Sequence, residues 1–124
     1  MTWLIGKKFK LTIENKLLLY KAIIKPIWSY GIQLWGCAKP SNTQIIQRIQ
    51  QKTVRIVFNA PWYVSNKTLH QDSRIQFVED EIIRTTNRYL LNLTGHPNEQ
   101  ANQLHVLPKA RRRLHRQWFT DVLK

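Results

Sequence analysis

Apolar residues recur at helical spacing along most of the chain, and in no stretch do they alternate with a period of two between turn dipeptides. Ile13, Leu17, Tyr20 and Ile24 follow Thr12 at spacings of four, three and four. With the Thr12 hydroxyl available to cap the first turn, this predicts a helix from about residue 12 to about residue 25. Pro26 removes an amide donor and crowds the preceding turn, so it either kinks that helix or opens a second one near its first position. Ile27, Trp28, Tyr30, Ile32, Leu34 and Trp35 then set large apolar groups on several faces, which predicts burial on more than one side. Gly31 and Gly36 either admit another backbone or end the helix.

Pro40-Ser41-Asn42-Thr43-Gln44 reads as a loop closing in a capping box, with Ser41 and Gln44 satisfying reciprocal amides, followed by a helix from about 42 to about 58. Its expected inner stripe is Ile45, Ile46, Ile49, Thr53, Ile56 and Val57, which leaves Arg48, Gln51, Lys52 and Arg55 toward solvent or a ligand. Asn59-Ala60-Pro61-Trp62-Tyr63 breaks the helix, because Pro61 disfavours helical geometry at Ala60. Ser65 or Asn66 then caps a short helix to about Asp72. Val78, Ile82, Thr86, Tyr89 and Leu93 form the face of a further helix that Gly95 and Pro97 stop. Asn98 caps a short turn ending near Leu104. Ala110, Leu114, Trp118 and Val122 repeat every four residues between arginines, the mark of a basic amphipathic helix from Lys109 to Leu123. The fold class is therefore all-α: a small bundle of four to six helices, the first kinked or broken at Pro26. Residues 1–104 are expected to form one helical domain, and 105–124 a basic C-terminal helix or tail.

Charge narrows the partners. Twenty Lys and Arg face seven Asp and Glu, a formal net charge of +13, which favours a polyanion over an acidic small molecule. Cys37 is the only cysteine, so neither an intramolecular disulfide nor a multi-cysteine zinc site can form, in keeping with a reducing, intracellular compartment, nuclear or cytoplasmic. No apolar run reaches the ~18 residues of a transmembrane helix and no secretory signal opens the chain, so no membrane role is expected. Asn66-Lys67-Thr68 and Asn92-Leu93-Thr94 then read as chance matches to a glycosylation pattern.

Candidate chemistry is confined to binding. Lys109, Arg111, Arg112, Arg113 and Arg116 form the densest cationic block, suited to phosphates that it would position without specifying sequence. A solvated tail, a nuclear-localisation signal or an anionic membrane surface are the other readings of that block. Arg48, Lys52 and Arg55, spaced by four and three, line one helical face that either meets backbone phosphates or is simply solvated. Trp28, Tyr30, Trp35, Trp62 and Tyr63 are able to stack unpaired bases, but their apolar, proline-punctuated setting points to core packing. His70, His96, His105 and His115 lack the close spacing of metal ligands. Glu79, Asp80 and Glu81 are neighbours that cannot converge on one metal from a helix, and they suit its positive N-terminal end. No catalytic residue, cofactor or small-molecule substrate is expected.

Several words of the sequence occur in a telling order: Trp3-Leu4-Ile5-Gly6, Lys25-Pro26-Ile27-Trp28, Tyr30-Gly31, Leu34-Trp35-Gly36 and Ala60-Pro61-Trp62-Tyr63. They sit in the runs Lys16–Gly36 and Arg48–Asn66. From about Trp3 to Leu104 the chain resembles the region that follows the palm in reverse transcriptases of jockey-type non-LTR retrotransposons. The resemblance implies a thumb-like helical domain and its continuation, part of an RNA-directed DNA polymerase. It implies contact with the primer-template backbone of RNA, DNA or an RNA–DNA hybrid, and with the remainder of the polymerase. The palm's paired aspartates have no counterpart here, since no Asp-Asp pair occurs. The chain is accordingly expected to be a fragment that does not catalyse by itself, the divalent metals belonging to the palm. The alternatives are a free-standing small basic nucleic-acid-binding protein from a truncated or domesticated element, and a reading frame whose helices expose apolar faces that the palm would cover.

Overall fold

The computed structural model describes residues 5, 6 and 10–103, and every regular element among them is helical. The first helix, α1 (Ile13–Leu19), is capped by Thr12, whose Oγ1 accepts from Asn15 N at 3.4 Å. Leu17, Tyr20 and Ile24 turn inward as the spacing predicts, but Ile13 is exposed. Lys16 takes an inner position instead, its stem buried and its Nζ donating to Gly6 O at 3.2 Å.

At Pro26 a second helical element opens with the proline near its first position, one of the two outcomes expected. Residues Tyr20–Ile24 widen into a π turn that closes with Lys25 N–H on Tyr20 O, and α2 (Lys25–Ser29) continues with Pro26 in its first turn. In a regular helix the proline ring would clash with the carbonyl four residues back, and the π turn covers that residue. Gly31, in the left-handed region at φ 63°, precedes the single turn α3 (Ile32–Trp35). Burial around this bend is thinner than the sequence suggests. Ile32 is buried and Trp28 and Trp35 are half-buried, but Ile27, Leu34 and Tyr30 are exposed, the last at 88%.

The longest helix, α4 (Pro40–Phe58), starts on Pro40, with no capping box at Ser41. Ser41 lies inside the first turn, Pro40 occupies the position where a missing N–H costs nothing, and Thr43 Oγ1 donates to Pro40 O at 3.0 Å. Its inner face is also rotated from the isoleucine stripe. Thr43, Gln50, Val54 and Val57 are buried, whereas Ile45 and Ile49 are 54% and 56% exposed. The glutamines win the inner positions because each satisfies groups that burial would otherwise orphan. Gln50 Nε2 donates to Tyr20 Oη and to Gln76 O, both at 3.0 Å. Gln47 Oε1 accepts from Val78 N at 2.7 Å, and its amide lies 3.4 Å from His70 Nε2. His70 Nδ1 sits 2.9 Å from Ile75 O, and its ring stacks on Phe77 at 4.1 Å. The Ile75 carbonyl can only accept, so Nδ1 carries the proton and Nε2 accepts from Gln47.

Two short helices and one long one complete the described chain. Ser65 caps α5 (Asn66–Ser73) through Thr68 N at 3.1 Å, as expected. The acidic first turn of α6 (Val78–Leu93) suits its dipole, and Val78, Ile82, Thr86 and Leu93 are buried on the predicted face. Glu81 of that turn is buried and paired with Arg84. Asn98 Oδ1 accepts from Gln100 N at 2.9 Å, ahead of α7 (Glu99–Gln103).

These residues form two compact units. The first runs up to Tyr30 and resumes over Pro40–Val78, around Tyr20, Val54, Leu69 and Ile75 with Leu17, Ile24, Phe58, Ala60 and Val64 packed against them. The second takes Gly31–Lys39 and the residues from Glu79 onward, with Ile32, Gly36, Ile82, Thr86 and Leu93 buried. Among the described residues no helix is long and apolar enough to cross a membrane.

The end of α5 carries avoidable strain. Arg74 holds the left-handed position, φ 52°, while its N–H and that of Ile75 close onto Gln71 O and His70 O at 3.2 Å. Glycine fills this position most readily, because a Cβ there crowds the following carbonyl. Arg74→Gly is expected to raise stability by up to about 1 kcal/mol, read as a higher midpoint in urea unfolding; an unchanged or lower midpoint would show that the arginine side chain compensates.

Candidate nucleic-acid interface

Within the first unit, α4 and the loop after it carry Arg48, Lys52, Arg55, Trp62 and Tyr63 beside an open hollow. Arg48 and Lys52 are exposed on the outer face of α4, and neither has a hydrogen-bond or ion-pair partner among the described residues. They flank Ile45 and Ile49, so this face is both basic and apolar. No Asp or Glu occurs between Glu14 and Asp72, so α4 and its loop carry cations and no acid of their own.

Arg55, the third member of the predicted set, is engaged within the fold. Its Nε donates to Asn66 Oδ1 at 3.0 Å, Nη1 to Pro61 O at 3.1 Å and Nη2 to Val64 O at 2.6 Å. The structure thus brings Arg48 and Lys52 together on an open surface and turns Arg55 toward the loop. Spacing along a helix reports only which residues share a face, and the loop carbonyls that claim Arg55 leave no such pattern.

The loop starts where α4 ends. Asn59 takes the left-handed position at φ 49°, with Asn59 N on Ile56 O at 3.3 Å and Ala60 N on Arg55 O at 3.0 Å. This doubly bonded helix end aims the chain back across the last turn of α4. Pro61 and Val64, gripped by one guanidinium, bracket Trp62 and Tyr63. Both rings stand in solvent, 89% and 72% exposed, in an edge-to-face pair with centroids 6.0 Å apart and planes at 81°. The expectation that these two rings belong to the core is overturned. Alongside lies an open hollow of about 280 Å³ lined by Lys52, Arg55, Ile56, Asn59 and Ala60.

The other predicted site residues, Lys109, Arg111, Arg112, Arg113 and Arg116, lie outside the described residues. Among the described residues no group of three acids, histidines or cysteines is placed to hold a metal ion. His70 is committed to the Gln47 and Ile75 contacts, and His96 to the turn before α7, where its Nδ1 accepts from Asn98 N at 3.1 Å.

Comparison with known proteins gives one consistent set of relatives. The chain is 40% identical over 121 residues to the probable RNA-directed DNA polymerase from transposon X-element of Drosophila melanogaster, covering 98% of this chain and 13% of that relative. It is 39% identical over 124 residues to the probable RNA-directed DNA polymerase from transposon BS of the same fly, covering 99% and 14%. With the RNA-directed DNA polymerase from mobile element jockey of Drosophila melanogaster it shares 34% over 104 residues, covering 84% and 11%. The chain therefore spans about one seventh or less of the curated relatives it matches. No family model and no solved structure matches it.

Proposed function

We propose that this chain, homologous over nearly its whole length to one segment of the RNA-directed DNA polymerases of Drosophila non-LTR transposons, is a thumb and connecting segment that grips nucleic acid without catalysing. The observation that carries this reading is the outer face of α4, where Arg48 and Lys52 stand exposed, without an ion-pair partner among the described residues, on a stretch of chain without acidic residues. Guanidinium and ammonium groups on a rigid helix suit backbone phosphates, and they release condensed counterions on contact. Such contacts follow the shape of a duplex and not its sequence, as a segment that holds a growing product requires. The basic block from Lys109 to Arg116 is assigned to the same polyanion on its charge. The exposed apolar residues Leu18, Ile27 and Leu91, outside that face of α4, favour a segment that packs within a larger polymerase over a free-standing binding protein.

Fluorescence anisotropy with an RNA–DNA hybrid, titrated across salt concentrations, tests the reading. Each neutralised phosphate contributes about 0.9 to the slope of log affinity against log salt. Arg48→Gln with Lys52→Gln is expected to flatten that slope by about 1.8, and replacing Arg111, Arg112, Arg113 and Arg116 by Gln to flatten it by up to about 3.6. Unrelated sequences should weaken alike. No binding by the unaltered chain, or slopes that neither variant changes, would end the proposal.

A further inference from the structure

The exposed pair after α4 points to a more specific ligand than a duplex backbone. We propose that Trp62 and Tyr63 form a stacking platform for the unpaired bases of a single-stranded nucleic acid, whose flanking phosphates lie over Lys52 and Arg48. This inference rests on the nucleic-acid reading above and adds the state of the strand.

Three observations support it together. First, the rings are held in solvent by construction. Arg55 bonds the carbonyls of Pro61 and Val64 on either side of them, and Asn66 beyond, so the segment does not collapse onto the core. A rigid aromatic surface loses little freedom when a base settles on it. Second, the edge-to-face geometry leaves the broad faces of the indole and the phenol largely uncovered. Every base has a π-face, so such a surface accepts any of them, whereas bases inside a duplex are already stacked and cannot reach it. Third, the surroundings carry the complementary charge. Lys52 lines the hollow beside the loop, Arg48 lies one helical turn before it, and exposed Lys67 stands in the first turn of α5. No acid lies in the chain from Asn15 to Gln71 to repel a phosphate. An acidic protein surface would share the charge attraction, but a nucleic-acid strand brings phosphates for the cations and bases for the two rings together.

The roles divide cleanly. Trp62 and Tyr63 touch the bases, Lys52 and Arg48 the phosphates, and Arg55 is a positioning residue that acts through the loop it holds.

The test uses the full chain and compares a single-stranded oligonucleotide, such as oligo(dT), with a hybrid duplex of equal length by anisotropy. Trp62→Ala is expected to weaken single-strand binding on the order of ten-fold, leaving duplex affinity and both salt slopes unchanged. Trp62→Phe, which keeps an aromatic face, is expected to recover most of the loss. Because Trp62 is exposed, the fold should survive, and an unchanged far-ultraviolet circular dichroism spectrum verifies this. The outcomes separate the two claims. If the unaltered chain binds neither ligand, the nucleic-acid reading falls and this inference with it. If it binds both, and Trp62→Ala leaves single-strand affinity intact or weakens both ligands equally, the platform is wrong while the broader reading stands. A protein contact would then be the better account of the pair.

Discussion

Arg55→Met is expected to destabilise the first unit by about 2–4 kcal/mol, an effect large for a residue that is only half-buried. Hydrogen bonds to charged groups contribute about 1.5–3 kcal/mol each, and Arg55 makes three. The sum is not fully lost, because water reaches part of the loop and will satisfy some of the carbonyls. Methionine keeps the buried stem and removes the fork, so the change reports the guanidinium and not its packing. Arg55→Lys should behave much like Arg55→Met despite keeping the charge, since one ammonium on a flexible stem cannot span Pro61 O, Val64 O and Asn66 Oδ1 together. Thermal unfolding gives the magnitude, and limited chymotrypsin digestion gives the location. Cleavage after Trp62 or Tyr63 should accelerate in both variants, because those rings are already exposed and only the rigidity of the loop protects the backbone beside them. Unaltered melting with unaltered cleavage would mean that the three contacts contribute nothing net. Single-strand affinity should also fall in Arg55→Met although both rings remain, which links this loop to the proposed platform.

The same arginine illustrates what a linear reading of the chain can reach. Several features whose partners lie within four residues were legible: the hydroxyl caps at Thr12 and Ser65, the Asn98 turn, and the face of α6 through Val78, Ile82, Thr86 and Leu93; the capping box at Ser41 was the local exception, because Pro40 already opens the helix. Features whose partners lie far along the chain were not. Gln47 and Gln50 stood outside the expected inner stripe, yet their partners are Tyr20, His70, Gln76 and Val78, between 23 and 31 residues away. Hydrophobicity alone therefore placed the inner face of α4 on its isoleucines. The π turn ahead of Pro26 was hidden for a different reason, since the sequence requires relief of the proline clash without stating how. For the candidate site, the charge of Arg48 and Lys52 and their common face were readable, but the capture of Arg55 and the outward stance of Trp62 and Tyr63 depend on a loop conformation that spacing does not encode. Large rings next to a proline usually pack inward, and only the grip on Pro61 and Val64 keeps these two out.

Gly36→Ala is expected to be the most damaging small substitution in the second unit, at about 2–3 kcal/mol. Alanine is ordinarily the better residue near a helix, by about 1 kcal/mol, so the sign here depends on space. An added Cβ would lie 2.5 Å from Ile32 O and 2.8 Å from Ile82 Cγ2. The first contact is with a backbone carbonyl that already accepts from Gly36 N at 2.7 Å, so relieving it means loosening the last turn of α3. The second is with a buried, β-branched side chain whose rotamer freedom on a helix is small. Neither neighbour yields cheaply. The two contacts can be separated by adding Ile82→Ala, which removes the side-chain clash and keeps the carbonyl one. Ile82→Ala alone should destabilise by about 2–4 kcal/mol through the cavity it leaves. The double variant should then be less damaged than the two single effects added together, by about 1 kcal/mol, because the alanine at position 36 occupies part of that cavity. Urea unfolding of the four proteins measures this coupling. Strict additivity would mean that the Ile82 side chain does not resist the new methyl group and that the whole cost arises at the Ile32 carbonyl. A Gly36→Ala variant as stable as the parent would show that the close approach of α3 and α6 is not required for the second unit to form.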